Sequence, residues 1–368
     1  VGDRTGIEWT DATWTPIRAR RFDPAKGKVR IGHHCEHVSE ACRNCYAEGI
    51  NRRLGTGLDY KPGYHDSGAV EVFLDEDMLT RPLRWKKPRM IFVCSMTDLF
   101  ARFVTDEMID KVFAVMALCP QHTFQVLTKR PERMRAYFRG LDERCFHQND
   151  YLTTPWARRD SVAKMIGEIA LSVGKPDLLG KVKQLPLPNV WLGTSVEDQA
   201  TADERIPELL ATPAAVRFVS AEPLLGPVDL YNGDPDPRLN GHRASKTFIG
   251  EWWEPGDGSK APPRRGVDWV IAGGESGPSA RPCHPDWARS LRDQCAAAGV
   301  PFFWKQWGEF APFDAPTTPY AKVIAEIQID GTERCTNFGT PQGALMSRVG
   351  KKAAGALLDG KEHREFPA

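Results

Sequence analysis

The sequence predicts an α/β protein: a full or partial (β/α) TIM-type barrel with parallel strands, long insertions and a C-terminal extension. Two observations carry that expectation. Six short β-branched or aromatic runs recur along the chain, and most are followed by an amphipathic helical stretch, the alternation that builds a parallel sheet. The 368 residues are also 41% apolar and 26% charged, enough to core one large barrel or two ordinary domains.

The elements follow in order. An opening strand is expected around GIEWTDATW, and a helix from Cys45 to about Leu54, with a cysteine-bearing loop between them. Strands are then expected at RMIFVCSMTD (89–98), TFQVLTKRP (123–131), NVWLGTSVED (189–198), VRFVSAEPL (216–224), VDWVIAGGES (267–276) and VPFFWKQWG (300–308). After the first of these, TDEMIDKVFAVMALCP offers Thr105 as N-cap and puts Met108, Val112 and Met116 on one face, before Pro120 stops the helix. In HPDWARSLRDQCAAAGVP, Pro285 occupies the first turn, Trp287, Leu291, Cys295 and Ala298 form the apolar stripe, and Gly299 closes it. The barrel is thus expected over 1–308, with loop-like insertions at about 141–188 and 231–266. Residues 309–368 form an extension packed on it, without strand/helix rhythm until a short amphipathic stretch near Ala353 to Leu358.

Net charge is +1, so affinity for nucleic acid must come from local basic patches. No apolar run reaches the roughly 20 residues of a membrane span, and VGDRTGIEW lacks the layout of a secretory signal, so a cytoplasmic protein is expected. The nine cysteines fit a reducing compartment: an odd number, with Cys94, Cys119, Cys145, Cys283, Cys295 and Cys335 scattered singly.

The other three, Cys35, Cys42 and Cys45, crowd into HHCEHVSEACRNCYAE (33–48). Unrelated buried thiols fit poorly beside His33, His34, Glu36, Arg43 and Asn44. A structural zinc site would take the three cysteines with His33, His34 or His37 as a fourth ligand. A 4Fe-4S cluster held by three cysteines would leave one iron open to a small molecule, which means a reaction.

A three-cysteine loop after the first strand of such a barrel resembles the radical S-adenosylmethionine superfamily, although six and then two residues separate the cysteines here, where that superfamily's commonest spacing is three and then two. With CRNCYAE, the blocks GIEWTDATWTP, FVCSMTDLF, VLTKRPERM, WLGTSVED, AEPLLGP, AGGESGPSARP, FFWKQWG and VGKKAAGALLDG also resemble, over nearly the whole chain, a phage-associated bacterial family of three-cysteine proteins with the six-then-two spacing. Relative to that family, residues 18–34 look like an insertion. Its pattern is in turn similar to spore photoproduct lyase.

The resemblance implies a 4Fe-4S cluster on Cys35, Cys42 and Cys45, S-adenosylmethionine as cofactor, and a 5′-deoxyadenosyl radical used by a DNA repair lyase on ultraviolet pyrimidine photoproducts. It further implies that Ser95, Thr97 and Asp98 hold the cofactor's amino group, that Thr128 and Lys129 meet its carboxylate, and that Thr194, Ser195 and Glu197 contact ribose or carboxylate, with Arg205 and Glu222 as further candidates. Each of these residues, taken singly, also reads as a helix cap or loop hydrogen bond. Cys283, Tyr46 and Cys94 are candidate hydrogen-atom donors, and Lys305 a candidate substrate contact at its strand end. Lys86, Lys87, Arg130, Arg281, Lys305, Arg348, Lys351 and Lys352 are candidate DNA contacts. Gly273-Gly274-Glu275 reads as a tight turn where backbone approaches a ligand or phosphate. The expected partners are damaged or modified DNA and a small electron-donor protein such as a flavodoxin or ferredoxin, the protein itself acting as a monomer. Two other functions stay open: a radical enzyme acting on a small metabolite or a nucleobase of deazapurine type, and a zinc-stabilised nucleic-acid-binding protein without redox chemistry.

Overall fold

The β-branched and aromatic runs form strands in the structure, a computed structural model that describes residues 5–139, 159–177, 186–231, 248–252, 264–313, 324–331, 333–334 and 343–368. Cys145 and Cys335, and much of both expected insertions, lie outside the described residues. The chain divides into two compact units, Val1–Thr194 with Ala211–Ala215, and Ser195–Leu210 with Val216–Ala368.

In the first unit the strands are β1 (Ala12–Trp14), β2 (Ile17–Asp23), β3 (Lys28–Gly32), β4 (Glu71–Leu74), β5 (Met90–Val93), β6 (Thr123–Thr128) and β7 (Val190–Ser195). Its helices are α1 (Tyr46–Leu54), α2 (Glu76–Leu79), α3 (Asp106–Leu118), α4 (Pro131–Arg139) and α5 (Arg159–Ser172). Strands β1, β5, β6 and β7 pair in parallel in that order, Thr13 opposite Phe92, Phe92 opposite Gln125 and Gln125 opposite Trp191. Trp14, Phe124, Phe100 and Phe113 are buried in this unit, and the Trp14 indole donates to Met78 O at 2.7 Å. Thr105 accepts from the Met108 N–H and caps α3, as its position predicts, and α3 packs against α5. The stretch at 18–34 is a β-hairpin: β2 and β3 pair antiparallel, and β2 also pairs with β4 to complete a three-stranded sheet.

In the second unit β8 (Val216–Ala221), β9 (Glu251–Trp252), β10 (Arg264–Arg265), β11 (Trp269–Ala272) and β12 (Phe302–Trp304) accompany α6 (Gln199–Leu210) and α7 (Pro285–Ala298). Strands β8, β11 and β12 pair in parallel with β11 in the middle, while β9 and β10 form a short antiparallel pair. Gly299 closes α7 at φ 66°, a left-handed position that glycine adopts without steric cost. The tail, which shows no strand rhythm, nevertheless builds β13 (Phe310–Pro312), β14 (Ile324–Gln328), β15 (Glu333–Arg334) and β16 (Gly343–Arg348), in the order β13-β16-β14-β15, followed by α8 (Lys351–Ala354). It packs back through tryptophans whose buried indoles need an acceptor. Trp269 donates to Glu365 O, Trp287 to Ile329 O and Trp307 to Leu357 O, each at 2.8 Å.

The α/β class and the parallel pairing are therefore present, with seven parallel strands among the described residues, four pairing in the first unit and three in the second. No described helix is long and apolar enough to cross a membrane.

Candidate functional site

Directly after β3 the chain enters the three-cysteine loop. Its second half winds into a 3-10 turn over Glu40–Asn44, in which the Cys42 N–H donates to Ser39 O at 3.0 Å and the Cys45 N–H to Cys42 O at 3.2 Å. Cys45 then stands at the N-cap of α1, one tight turn from Cys42. All three thiols are free and half-buried. Burial pushes the Cys35 thiol up to about 12; Arg130 opposes that shift, while Asp98, Cys45 and Cys42 add to it. Burial likewise raises Cys45, against the N–H groups of Glu48 and Ala47 and with a contribution from Cys42. The three sulfurs thus lie within electrostatic reach of one another, though among the described residues no three His, Cys, Asp or Glu side chains are drawn together tightly enough to hold a metal ion. The donor set is rich in sulfur, which suits an iron-sulfur cluster or zinc and not a hard cation.

The loop after β5 is fastened to this cysteine loop. It turns at Cys94, whose φ of 57° is uncommon for a residue with a side chain. Tyr46 donates to Ser95 O and Tyr60 to Met96 O, both at 2.7 Å, and the Thr97 hydroxyl donates to His34 O. Asp98 is the hub. Its carboxylate accepts from Thr128 Oγ1 at 2.7 Å, the Phe100 N–H at 2.9 Å, the Lys129 N–H at 3.1 Å and Arg130 Nη1 at 2.8 Å. Arg130 also donates to Glu36 O at 3.0 Å; burial disfavours its charge, but Asp98 and Cys35 outweigh that and hold its pKa up. Within the cysteine loop, buried Glu36 accepts from Arg102 at 2.9 and 2.7 Å. Thr194, at the end of β7, donates to Thr128 O at 3.0 Å.

The second unit gathers its own polar group at strand ends. Glu222 follows β8 and Lys305 follows β12, and Lys305 Nζ lies 2.9 Å from Glu222 Oε1, while Ser220 donates to the other oxygen at 3.2 Å. Two strands separated by a third stand roughly 9–10 Å apart, so this pair reaches over β11. Gly273 at the end of β11 permits it: a Cβ there would stand 3.1 Å from Glu222 Oε1 and 3.4 Å from Lys305 Cβ. The tight turn read from Gly273-Gly274-Glu275 thus accommodates the chain's own side chains, and Glu275 accepts from the Arg281 guanidinium at 2.8 and 2.7 Å. Buried Arg205 donates to Ser195 O at 2.9 Å and pairs with Glu197 at 3.2 Å.

Residues 4–367 match the family described as protein of unknown function (DUF5131). The chain belongs to that family. No curated protein matches it, and no solved structure does.

In this DUF5131 chain, the structure brings Ser95, Thr97, Asp98, Thr128, Lys129 and Tyr46 together with the three cysteines. Glu222 and Lys305 form a separate group in the second unit, as do Ser195 and Glu197. Cys283 is buried there, its thiol against His284 O at 3.7 Å, and burial raises its pKa. Several expected DNA contacts have other partners: Arg130 is turned to Asp98, Arg281 to Glu275, Lys305 to Glu222, and Arg348 to the carbonyls of Gly277 and Pro278. Lys86 and Lys87 are exposed but precede β5, at the opposite end of that strand from Ser95–Asp98. Lys351 and Lys352 are exposed on α8. Of the histidines weighed as zinc ligands, His33 Nδ1 lies 3.3 Å from Ile17 O and His37 is held by Glu48, while the buried His34 ring packs on Phe103 with no hydrogen-bond partner at Nε2. Sequence reasoning missed Glu36 and Arg102 as a pair and Tyr60 as a strut; a charged residue between two cysteines was the available signal for Glu36.

Proposed function

We propose that this protein is a radical S-adenosylmethionine enzyme, built on a partial (β/α) barrel, in which Cys35, Cys42 and Cys45 hold a 4Fe-4S cluster and which acts on ultraviolet pyrimidine lesions in DNA. The observation that supports it is the single loop bearing three free, half-buried thiols, fastened by Tyr46, Tyr60 and Thr97 to the C-terminal end of β5. In parallel α/β sheets, that is the end where active sites gather.

The cluster, when bound, would supply one electron for reductive cleavage of the cofactor. What this chain's own residues do is separate from that step. Arg130, anchored by Asp98, presents a cation beside Cys35 that would offset the negative charge of ligating thiolates. Asp98 thereby gains a different first role from the one the resemblance implies: with four donors on its carboxylate it positions Arg130, and a cofactor ammonium would have to share it. Lys129, Ser95 and Thr97 remain the residues that would meet the cofactor. A small flavodoxin or ferredoxin would be the reductant, and a cytoplasmic monomer the working form.

The deciding experiment is anaerobic reconstitution with iron and sulfide analysis of the native protein and of Cys35→Ala, Cys42→Ala and Cys45→Ala. About four irons and four sulfides per chain, lost in each variant, is the expected result. Stoichiometric zinc without iron uptake would overturn the reading. With iron confirmed, turnover of an irradiated oligonucleotide against a free deazapurine separates a DNA lyase from an enzyme of small metabolites.

A further inference from the structure

The hairpin of β2 and β3 carries a charge unlike the rest of the chain. Residues 17–32 contain Arg18, Arg20, Arg21, Lys26, Lys28 and Arg30 against Asp23 alone, in a protein of net charge +1. Three acids lie beside some of these cations: Asp75 at Arg18, Glu71 at Arg20, and Asp23 near Arg21 and Arg30. The small sheet still keeps an excess of positive charge, with Lys26 and Lys28 exposed near the hairpin tip.

One face of this sheet is also apolar and open. Directly opposed residues share a face, as do residues two apart along a strand. Phe22 stands opposite Val29, Arg20 opposite both Ile31 and Glu71, and Arg18 opposite Phe73. Those side chains therefore form one surface, on which Phe22 is 62% exposed, Val29 57% and Ile31 48%. The Arg20 guanidinium lies 5.2 Å from the Phe73 ring centroid. The opposite face, with Ile17, Ala19 and Val72, is buried. Charges alone would be the ordinary protection of the β3 edge against strand pairing. Protection does not explain three exposed apolar side chains beside them, and an aromatic interleaved with cations is what a nucleic-acid strand requires: a platform for base stacking and cations for phosphates.

We infer that this face of the β3-β2-β4 sheet, with the hairpin tip beside it, is a docking surface for single-stranded nucleic acid, Phe22 stacking on bases and the exposed tip residue Lys26, with the sheet's excess of positive charge, meeting the phosphates. The surface is rooted beside the cysteine loop. His33 follows β3 immediately, and its N–H donates at 2.9 Å to Asn51 Oδ1, whose amide nitrogen binds Thr56 and Leu58. A strand lying on this sheet is therefore brought to the edge of the three-cysteine loop. The inference does not depend on the cluster, since it concerns affinity and not chemistry.

The test is fluorescence anisotropy with a labelled single-stranded oligonucleotide over a range of salt, on the full chain with its iron content measured in parallel. Lys26→Glu is expected to weaken binding about fivefold and to flatten the slope of log affinity against log salt by roughly 0.7. Phe22→Ala is expected to weaken it by about five- to tenfold with the slope unchanged. Circular dichroism confirms that each variant is folded, as exposed positions allow. Native affinity and slope in both variants would overturn the inference, as would retained DNA binding with lost association to an acidic flavodoxin, which would reassign the face to an electron donor. Loss of iron uptake with DNA binding intact would break the radical reading and leave this one standing.

Discussion

Each unit joins an acid and a base at the ends of its parallel strands, and the two pairs are built differently. In the first, Asp98 and Arg130 follow β5 and β6, which are neighbours, so the pair closes over a single strand spacing and is buried with three further donors on Asp98. In the second, Glu222 and Lys305 follow β8 and β12 and must reach over β11, which the absence of a Cβ at Gly273 permits. The chemistry around them differs as well. The Cys35 thiol, of the three-cysteine loop, lies beside the first pair, whereas the described cysteines of the second unit, Cys283 and Cys295, are buried singly. A strand-end ion pair is thus common scaffolding in this chain, and the preceding loop decides whether a reactive group stands beside it.

Substitutions can break that comparison. The largest effect is expected from Arg130→Met, which leaves Asp98 buried without its counter-charge and should cost about 3–5 kcal/mol in a denaturant titration. Lys305→Met should cost less, about 1–3 kcal/mol, because Glu222 is only half-buried and Asp98 is buried. Equal losses in the two variants would mean that the three donors left on Asp98 offset its deeper burial. Gly273→Ala comes next, at about 1 kcal/mol, since its new Cβ meets a side-chain carboxylate that can shift. Combined with Glu222→Ala it should become nearly neutral, and full additivity would show that the glycine serves something other than the reach over β11.

The smallest effect tests a surface pair by pH. Arg289 and Arg292 hold Asp359 down to about 2 from an ordinary 3.8. A depressed carboxyl stabilises the fold above its unfolded value and loses that contribution as pH falls through the folded one. Asp359 is partly exposed, so Asp359→Asn should cost only about 0.5 kcal/mol at neutral pH. The gap between variant and native protein should shrink below about pH 4 and vanish near pH 2; a gap that persists in acid would mean that the side chain acts by packing.

Much of the fold was legible because its signals are local. Thr105 and Gly299 mark helix ends through their own backbone and side-chain preferences, and runs such as TFQVLT are strands in nearly any context. The tail strands were not legible: β14 and β16 pair across intervening residues, and neither alternates cleanly between apolar and polar positions. The hairpin at 18–34 was visible only as an interruption, since nothing in its own residues names β4 as its third strand.

For the candidate site the division is sharper. The sequence by itself determined that three thiols share one loop, that polar residues end each strand, and that the chain's net charge is near zero, because these depend on residue identity and spacing alone. Tertiary structure alone decided that Arg130 faces Asp98 and Cys35, that Lys305 meets Glu222, and that Phe22, Val29 and Ile31 share an open face. Each of those outcomes joins side chains from different strands, and an arginine's partner is whichever acid the sheet register brings within about 3 Å, which no local propensity encodes.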